Sequence, residues 1–195
     1  MEKKRIILAS GSPRRKELLL QIGIVPEIIV SHVEEKITSD IPAEVVMSLA
    51  EQKAVDVAKE MPEGTVTLGS DTVVAADGKI LGKPKSHEEA YEMIRCLAGR
   101  SHQVYTGVCI VKKGPEGEAD TVVSFYDETD VNVSPMTEKE IREYADSEEP
   151  MDKAGSYAVQ GFFARYIDGL KGSYANVMGL PVHLVYQELK KLGAL

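Results

Sequence analysis

The stretch Leu8-Ala9-Ser10-Gly11-Ser12-Pro13-Arg14-Arg15-Lys16-Glu17-Leu18-Leu19 leaves the chain little conformational choice near its start. Residues 5–9 form an apolar run of the length expected for a buried strand, and only Ser10, Gly11 and Ser12 separate it from a helix. Ser12 suits the N-cap, and Pro13 suits the first helical position because the N–H it lacks would have no partner there. Leu18, Leu19 and Ile22 then supply an apolar face. A strand feeding straight into a helix opens an α/β unit. Arg14 and Arg15 fit less simply, since the first turn of a helix already carries partial positive charge. Two readings stand. Either the pair extends into solvent, at a cost of a few tenths of a kcal/mol (about 0.3), or the free N–H groups and both guanidinium groups converge on a polyanion such as phosphate.

Strands and helices alternate through the first half of the chain. Residues 26–33 read as a second strand. Residues 42–61 read as a long amphipathic helix that buries Val45, Val46, Leu49, Ala50, Ala54 and Val57 and carries Lys53 near its middle. Residues 65–68 predict a strand that Gly69-Ser70-Asp71 interrupts before residues 72–76 resume it. Asp77-Gly78 predicts a two-residue hairpin turn returning through residues 79–81. Ser86 with Glu89, and Thr137 with Glu140, predict capping boxes that open two further helices. Residues 101–111 and 121–133 predict a long antiparallel hairpin, and residues 149–161 a loop whose small and polar composition suits function. A strand over 162–167, a turn at Asp168-Gly169 and a final helix over 181–192 complete the reading. No linker or repeat divides the chain, so residues 1–195 are expected to form one α/β domain on a mixed sheet.

Charge narrows the partners. A formal net charge of −8 argues against nonspecific binding to nucleic acid or to an anionic membrane, so a polyanionic ligand needs a local cluster of Lys and Arg. Cys96 and Cys109 form no CxxC pair and read as reduced thiols. Lys3, Lys4 and Arg5 precede an apolar run too short for a signal-peptide core, and no later segment reads as a membrane span, which predicts a cytoplasmic protein. The sequon Asn132-Val133-Ser134 has no consequence in that setting.

No Walker A loop, GxGxxG or GxSxG is present, and His32, His87, His102 and His183 lack metal-ligand spacing. The remaining candidates are charged residues at strand ends and loops. Asp71 reads as a Mg²⁺ ligand, a general base or a turn-capping carboxylate. Lys83, between Gly82 and Pro84, is either a rigidly held cation or a loop lysine. Glu34 and Glu35 either join Asp71 on a metal or form a solvated acidic tip, and Lys53 is either a ligand or a surface residue. Together they make the inventory of a nucleotide polyphosphate site: cations for the phosphates, and carboxylates for a hard metal and for water activation.

Residues 8–19, Gly69-Ser70-Asp71-Thr72-Val73-Val74, Gly82-Lys83-Pro84, and Glu149-Pro150-Met151-Asp152-Lys153-Ala154-Gly155 with Val159-Gln160-Gly161 resemble, in order, the motifs of the Maf family of nucleoside triphosphate pyrophosphatases. The resemblance spans nearly the whole chain. It implies an elongated mixed β-sheet flanked by helices, two lobes with a cleft between them as in inosine triphosphate pyrophosphatase-like folds, and in many members a homodimer. It implies hydrolysis of a nucleoside triphosphate to the monophosphate and pyrophosphate with Mg²⁺ or Mn²⁺. Asp71 matches the family's proton acceptor and Lys83 its catalytic lysine. Ser10, Arg14, Arg15 and Lys53 match substrate-binding positions, and Glu34 with Asp71 the metal site. Arg14, Thr72 and Gln160 match the positions that separate subfamilies, and their combination is similar to the branch preferring dTTP and UTP, with modified pyrimidine triphosphates as further substrates. Ser70 departs from the Ala frequent in relatives. The competing expectation is a noncatalytic nucleotide-binding regulator of cell division, from the family's association with septum formation.

Overall fold

The structure is a computed structural model and describes residues 5–195, so Lys3 and Lys4 lie outside the described residues. A mixed seven-stranded sheet, flanked by helices on both faces, forms its spine. Its strands are β1 (Ile6–Leu8), β2 (Glu27–Ile28), β3 (Val66–Ala76), β4 (Lys79–Leu81), β5 (Ser101–Lys112), β6 (Thr121–Val133) and β7 (Ile167–Lys171), in the order β2-β1-β3-β5-β6-β7 with β4 beside β3. β1 runs parallel to β2 and β3, and every other pairing is antiparallel.

The expected opening holds: α1 (Pro13–Gln21) has Ser12 at its N-cap, Pro13 in its first turn, and Leu18 and Leu19 buried. α2 (Pro42–Ala58) buries all six of the apolar residues assigned to it. α3 (His87–Leu97) and α4 (Glu138–Ala145) begin at Ser86 and Thr137, each accepting a hydrogen bond from the backbone three residues on. The reciprocal contact exists only at Thr137; the Glu89 carboxylate accepts from the Lys85 N–H instead. α5 (Tyr174–Met178) and α6 (Val182–Lys191) close the chain. Among the described residues no helix is long and apolar enough to cross a membrane.

Four further expectations are corrected. β3 is a single unbroken strand through Gly69, Ser70 and Asp71. The glycine is there because α2 crosses the strand so closely that a Cβ at Gly69 would collide with the Ala50 carbonyl oxygen and stand 2.8 Å from the Ala54 nitrogen. Gly107, paired with Asp71 across the β3–β5 ladder, lies under the same helix, its Cβ position 2.6 Å from the Met47 nitrogen. The strand expected over 26–33 shrinks to β2, because the chain beyond it turns its hydrogen bonds to α2. The Ser31 hydroxyl and the His32 N–H donate to Asp56, and the Lys36 backbone exchanges two bonds with the Gln52 amide. Residues 162–166 form a 3₁₀ helix instead of a strand, since Glu149 accepts from the Phe162 and Phe163 N–H groups. Asp168 and Gly169 lie inside β7 instead of making a turn.

Two apolar clusters occupy opposite ends of the sheet. One gathers Leu8, Leu18, Leu19, Leu68, Ile110, Leu180, Val185 and Leu189; the other gathers Val74, Ile94, Leu97, Val104, Val131, Tyr144 and Phe163. These are the two lobes. Asp71 sits on β3 between them.

Candidate active site

A cavity of about 430 Å³ opens where the lobes meet. The start of α1 contributes Arg14 and Arg15, α2 contributes Lys53, and β3 contributes Asp71 and Thr72. Lys83 follows β4, the loop 149–161 brings Asp152, Lys153 and Gln160, and the end of α5 brings Met178 and Gly179. Five cationic and three acidic side chains line it, a local positive excess on a chain of net charge −8. That is the local cluster which the composition requires of any polyanion binder.

The cations divide into two kinds. Arg15 is built into the wall: its guanidinium donates from Nε to the Gly179 carbonyl (2.9 Å), from Nη1 to Ser10 Oγ (3.1 Å) and from Nη2 to Thr72 Oγ1 (3.2 Å). Burial lowers its pKa, the nearby Asp71 opposes this, and it remains a cation because arginine starts so high. The chain of bonds continues inward with a fixed direction. Thr106 Oγ1 donates its one hydrogen to the Asn176 carbonyl, so Thr72 Oγ1 must be the donor to Thr106. Asn176, fully buried, then donates to the Val104 carbonyl and Thr129 Oγ1. Arg14 and Lys83, by contrast, make no hydrogen bond or ion pair among the described residues, although both border the cavity.

Asp71 and Lys53 form the floor. Lys53 Nζ lies 2.6 Å from Asp71 Oδ1 and 3.0 Å from Glu35 Oε1, and the Lys53 and Asp71 side chains are only 15% and 17% exposed. α2 sets Lys53 there because Gly69 lets the helix close on the strand that carries Asp71. The clip between Lys36 and Gln52 delivers Glu35 to the same point.

The loop 149–161 is held at both ends by Glu149. Its backbone carbonyl accepts from Lys153 Nζ, while its carboxylate accepts from the Tyr144 hydroxyl (3.0 Å) and the Phe162 N–H (2.8 Å). Asp152, held below the usual carboxylate range by its bond to Lys153 and more weakly by Arg14, stands at the rim. Tyr157 forms part of the wall, with its hydroxyl 2.8 Å from Nε2 of the buried His102.

Of the residues singled out in the sequence, the structure brings Arg14, Arg15, Lys53, Asp71, Thr72, Lys83 and Gln160 to one cavity. Ser10 stands behind it, holding Arg15. Glu34 is exposed and does not line the cavity; Glu35 does. Asp152, Lys153 and the Gly179 carbonyl were not assigned to the site. The loop composition signalled the first two, whereas nothing local signals a carbonyl beyond α5, at a glycine with φ +112°.

The family model described as Maf-like protein matches residues 5–192. A protein of Lachnoclostridium phytofermentans is 48% identical over 97% of this chain and 95% of its own, and one of Agathobacter rectalis is 48% identical over 97% and 98%; both are named dTTP/UTP pyrophosphatase. The solved structure of the Staphylococcus aureus Ham1 protein aligns at 16% identity and a TM-score of 0.43, over 67% of this chain and 72% of that one. With a family match over almost its entire length, this chain belongs to the Maf-like proteins.

Proposed function

We propose that this protein is a nucleoside triphosphate pyrophosphatase that hydrolyses dTTP and UTP to the monophosphate and pyrophosphate. One observation carries the reading: Arg14 and Lys83, which make no hydrogen bond or ion pair among the described residues, border a cavity whose floor holds the Asp71 carboxylate. A site that only bound anions would be weakened by a carboxylate aimed at the ligand. The dTTP/UTP names of relatives at 48% identity support the substrate class.

The donor set also fits a divalent cation. One cationic atom, Lys53 Nζ, already lies within 3.0 Å of both Asp71 and Glu35, and Mg²⁺ is commonly held by one or two carboxylates with substrate phosphates and water completing its shell. Asp71 and Glu35 would hold Mg²⁺ or Mn²⁺, which would supply charge neutralisation at the phosphates. Arg14, Lys83 and the wall cation Arg15 take up the charge that builds on the departing pyrophosphate. Asp71 accepts a proton from the water that attacks the α-phosphorus as the bond from that phosphorus to the bridging oxygen breaks. Gln160, an exposed residue of the cavity lining, has an amide that both donates and accepts and would read the pyrimidine edge.

The test is pyrophosphate release from a panel of nucleoside triphosphates with Mg²⁺ or Mn²⁺. The wild-type chain is expected to favour dTTP and UTP, and Asp71→Asn to lose at least about 10²-fold in kcat, the lower end for a positioned proton acceptor. Nucleotide binding without release under either metal would overturn the proposal.

A further inference from the structure

The bridge from Lys53 to Asp71 and Glu35 places a fixed positive charge at the point where both carboxylates converge. Lys53 cannot easily leave. Its stem emerges from the part of α2 seated on Gly69, between Ala50 and Ala54, which are fully buried, and its ammonium donates to Asp71 and forms an ion pair with Glu35. A divalent ion on the same oxygens would stand within a few ångströms of the ammonium, in a partly desolvated setting where like charges repel strongly. The two cations therefore compete for one carboxylate pair. Lys53 can yield only if another anion receives it, and the ligand that the rest of the cavity is charged to attract is such an anion.

We propose that Lys53 is a built-in counter-cation that reserves the Asp71–Glu35 pair, so that the divalent ion enters together with the triphosphate and binds poorly before it. This rests on the proposed function for the identity of the anion, and it adds an order of entry. Without nucleotide, the ammonium neutralises the carboxylates and keeps Asp71 oriented. With nucleotide, the ammonium transfers to phosphate oxygen and the carboxylates pass to the metal. Coupling of this kind is reciprocal: nucleotide must tighten metal binding by the same factor by which metal tightens nucleotide binding.

The experiment is Mn²⁺ binding, read from the paramagnetic resonance signal of free Mn²⁺, with and without a triphosphate carrying a non-hydrolysable α,β-methylene bridge. It compares wild type, Lys53→Met and Lys53→Arg. Lys53→Met is expected to bind Mn²⁺ about tenfold more tightly than wild type in the absence of nucleotide, the change that 1.4 kcal/mol of relieved competition gives. Its additional gain from the analogue should shrink correspondingly, while Lys53→Arg, which keeps the charge, should stay near wild type. Lys53→Met binding Mn²⁺ no more tightly than wild type would overturn the proposal, and so would equal shifts in both variants, which would trace the effect to packing. No turnover is needed for these readings. A chain that shows them and yet releases no pyrophosphate would refute the assigned activity and leave the competition standing.

Discussion

Gly69→Ala is the substitution that most directly tests how α2 is seated. Gly69 is not among the glycines with positive φ, so its backbone suits alanine, and in an open position the change would be mildly stabilising. Here the new methyl would meet the α2 backbone at two points, the Ala50 carbonyl oxygen and the Ala54 nitrogen, and neither can rotate away. Restoring ordinary contact requires α2 to lift by about 1 Å, a gap that forfeits roughly a quarter to a half of the dispersion energy along the lifted face. Added to the usual cost of overpacking, this amounts to about 2–4 kcal/mol. For a chain of this length that is a fall in Tm of about 4–16 °C. Ala50 and Ala54 bracket Lys53, so the same displacement draws its ammonium from Asp71, and kcat should fall on the order of 10–100-fold. Urea unfolding gives the first number and pyrophosphate release the second. A variant within about 0.5 kcal/mol of wild type and equally active would refute the close seating of α2.

Two further outcomes follow from polar groups set into the fold, one buried and one part-buried. Desolvation pushes the buried His102 from its ordinary 6.5 down to about 4, so the unfolded chain binds the extra proton first as pH falls. His102 therefore contributes a stability that is complete above pH 6.5 and lost by up to about 3 kcal/mol towards pH 4, a slope that His102→Gln should flatten in urea melts across that range; equal slopes in the two proteins would contradict it. Arg15→Lys keeps the charge but cannot serve Gly179, Ser10 and Thr72 at once, and should lower stability by about 1–3 kcal/mol in equilibrium urea unfolding, an unchanged midpoint counting against the wall role.

What the sequence disclosed, and what it hid, follows the reach of the interactions. The turn from β1 into α1, the capped starts of α3 and α4 and the β5–β6 hairpin depend on residues a few positions apart, and each was readable. Gly69 read as a break in β3 because a glycine within a strand ordinarily weakens it. Its real cause is a helix more than ten residues away in sequence, which no strand pattern reports. The aromatic run at Phe162 and Phe163 has strand composition, yet the Glu149 carboxylate thirteen residues earlier captures their N–H groups. The residues alone left Glu34 and Glu35 open, and the resemblance named Glu34, whereas Glu35 is the one that reaches Lys53. The segment that carries them follows no period, and the Gln52 amide fixes which one meets Lys53.

The bond from Arg15 to the Gly179 carbonyl joins residues 164 apart in the chain, and Ser70 reaches the same carbonyl across 109. Contacts of such long loops come late in folding, after local pieces such as the twelve paired positions of β5 and β6 have formed. A nascent chain that has not yet reached Gly179 already carries Arg14, Arg15, Lys53, Asp71 and Lys83, but lacks the acceptor that fixes Arg15. The cavity is thus completed only when nearly the entire polypeptide has emerged, and any ligand requiring it draws the folding equilibrium of the whole molecule and not of one lobe.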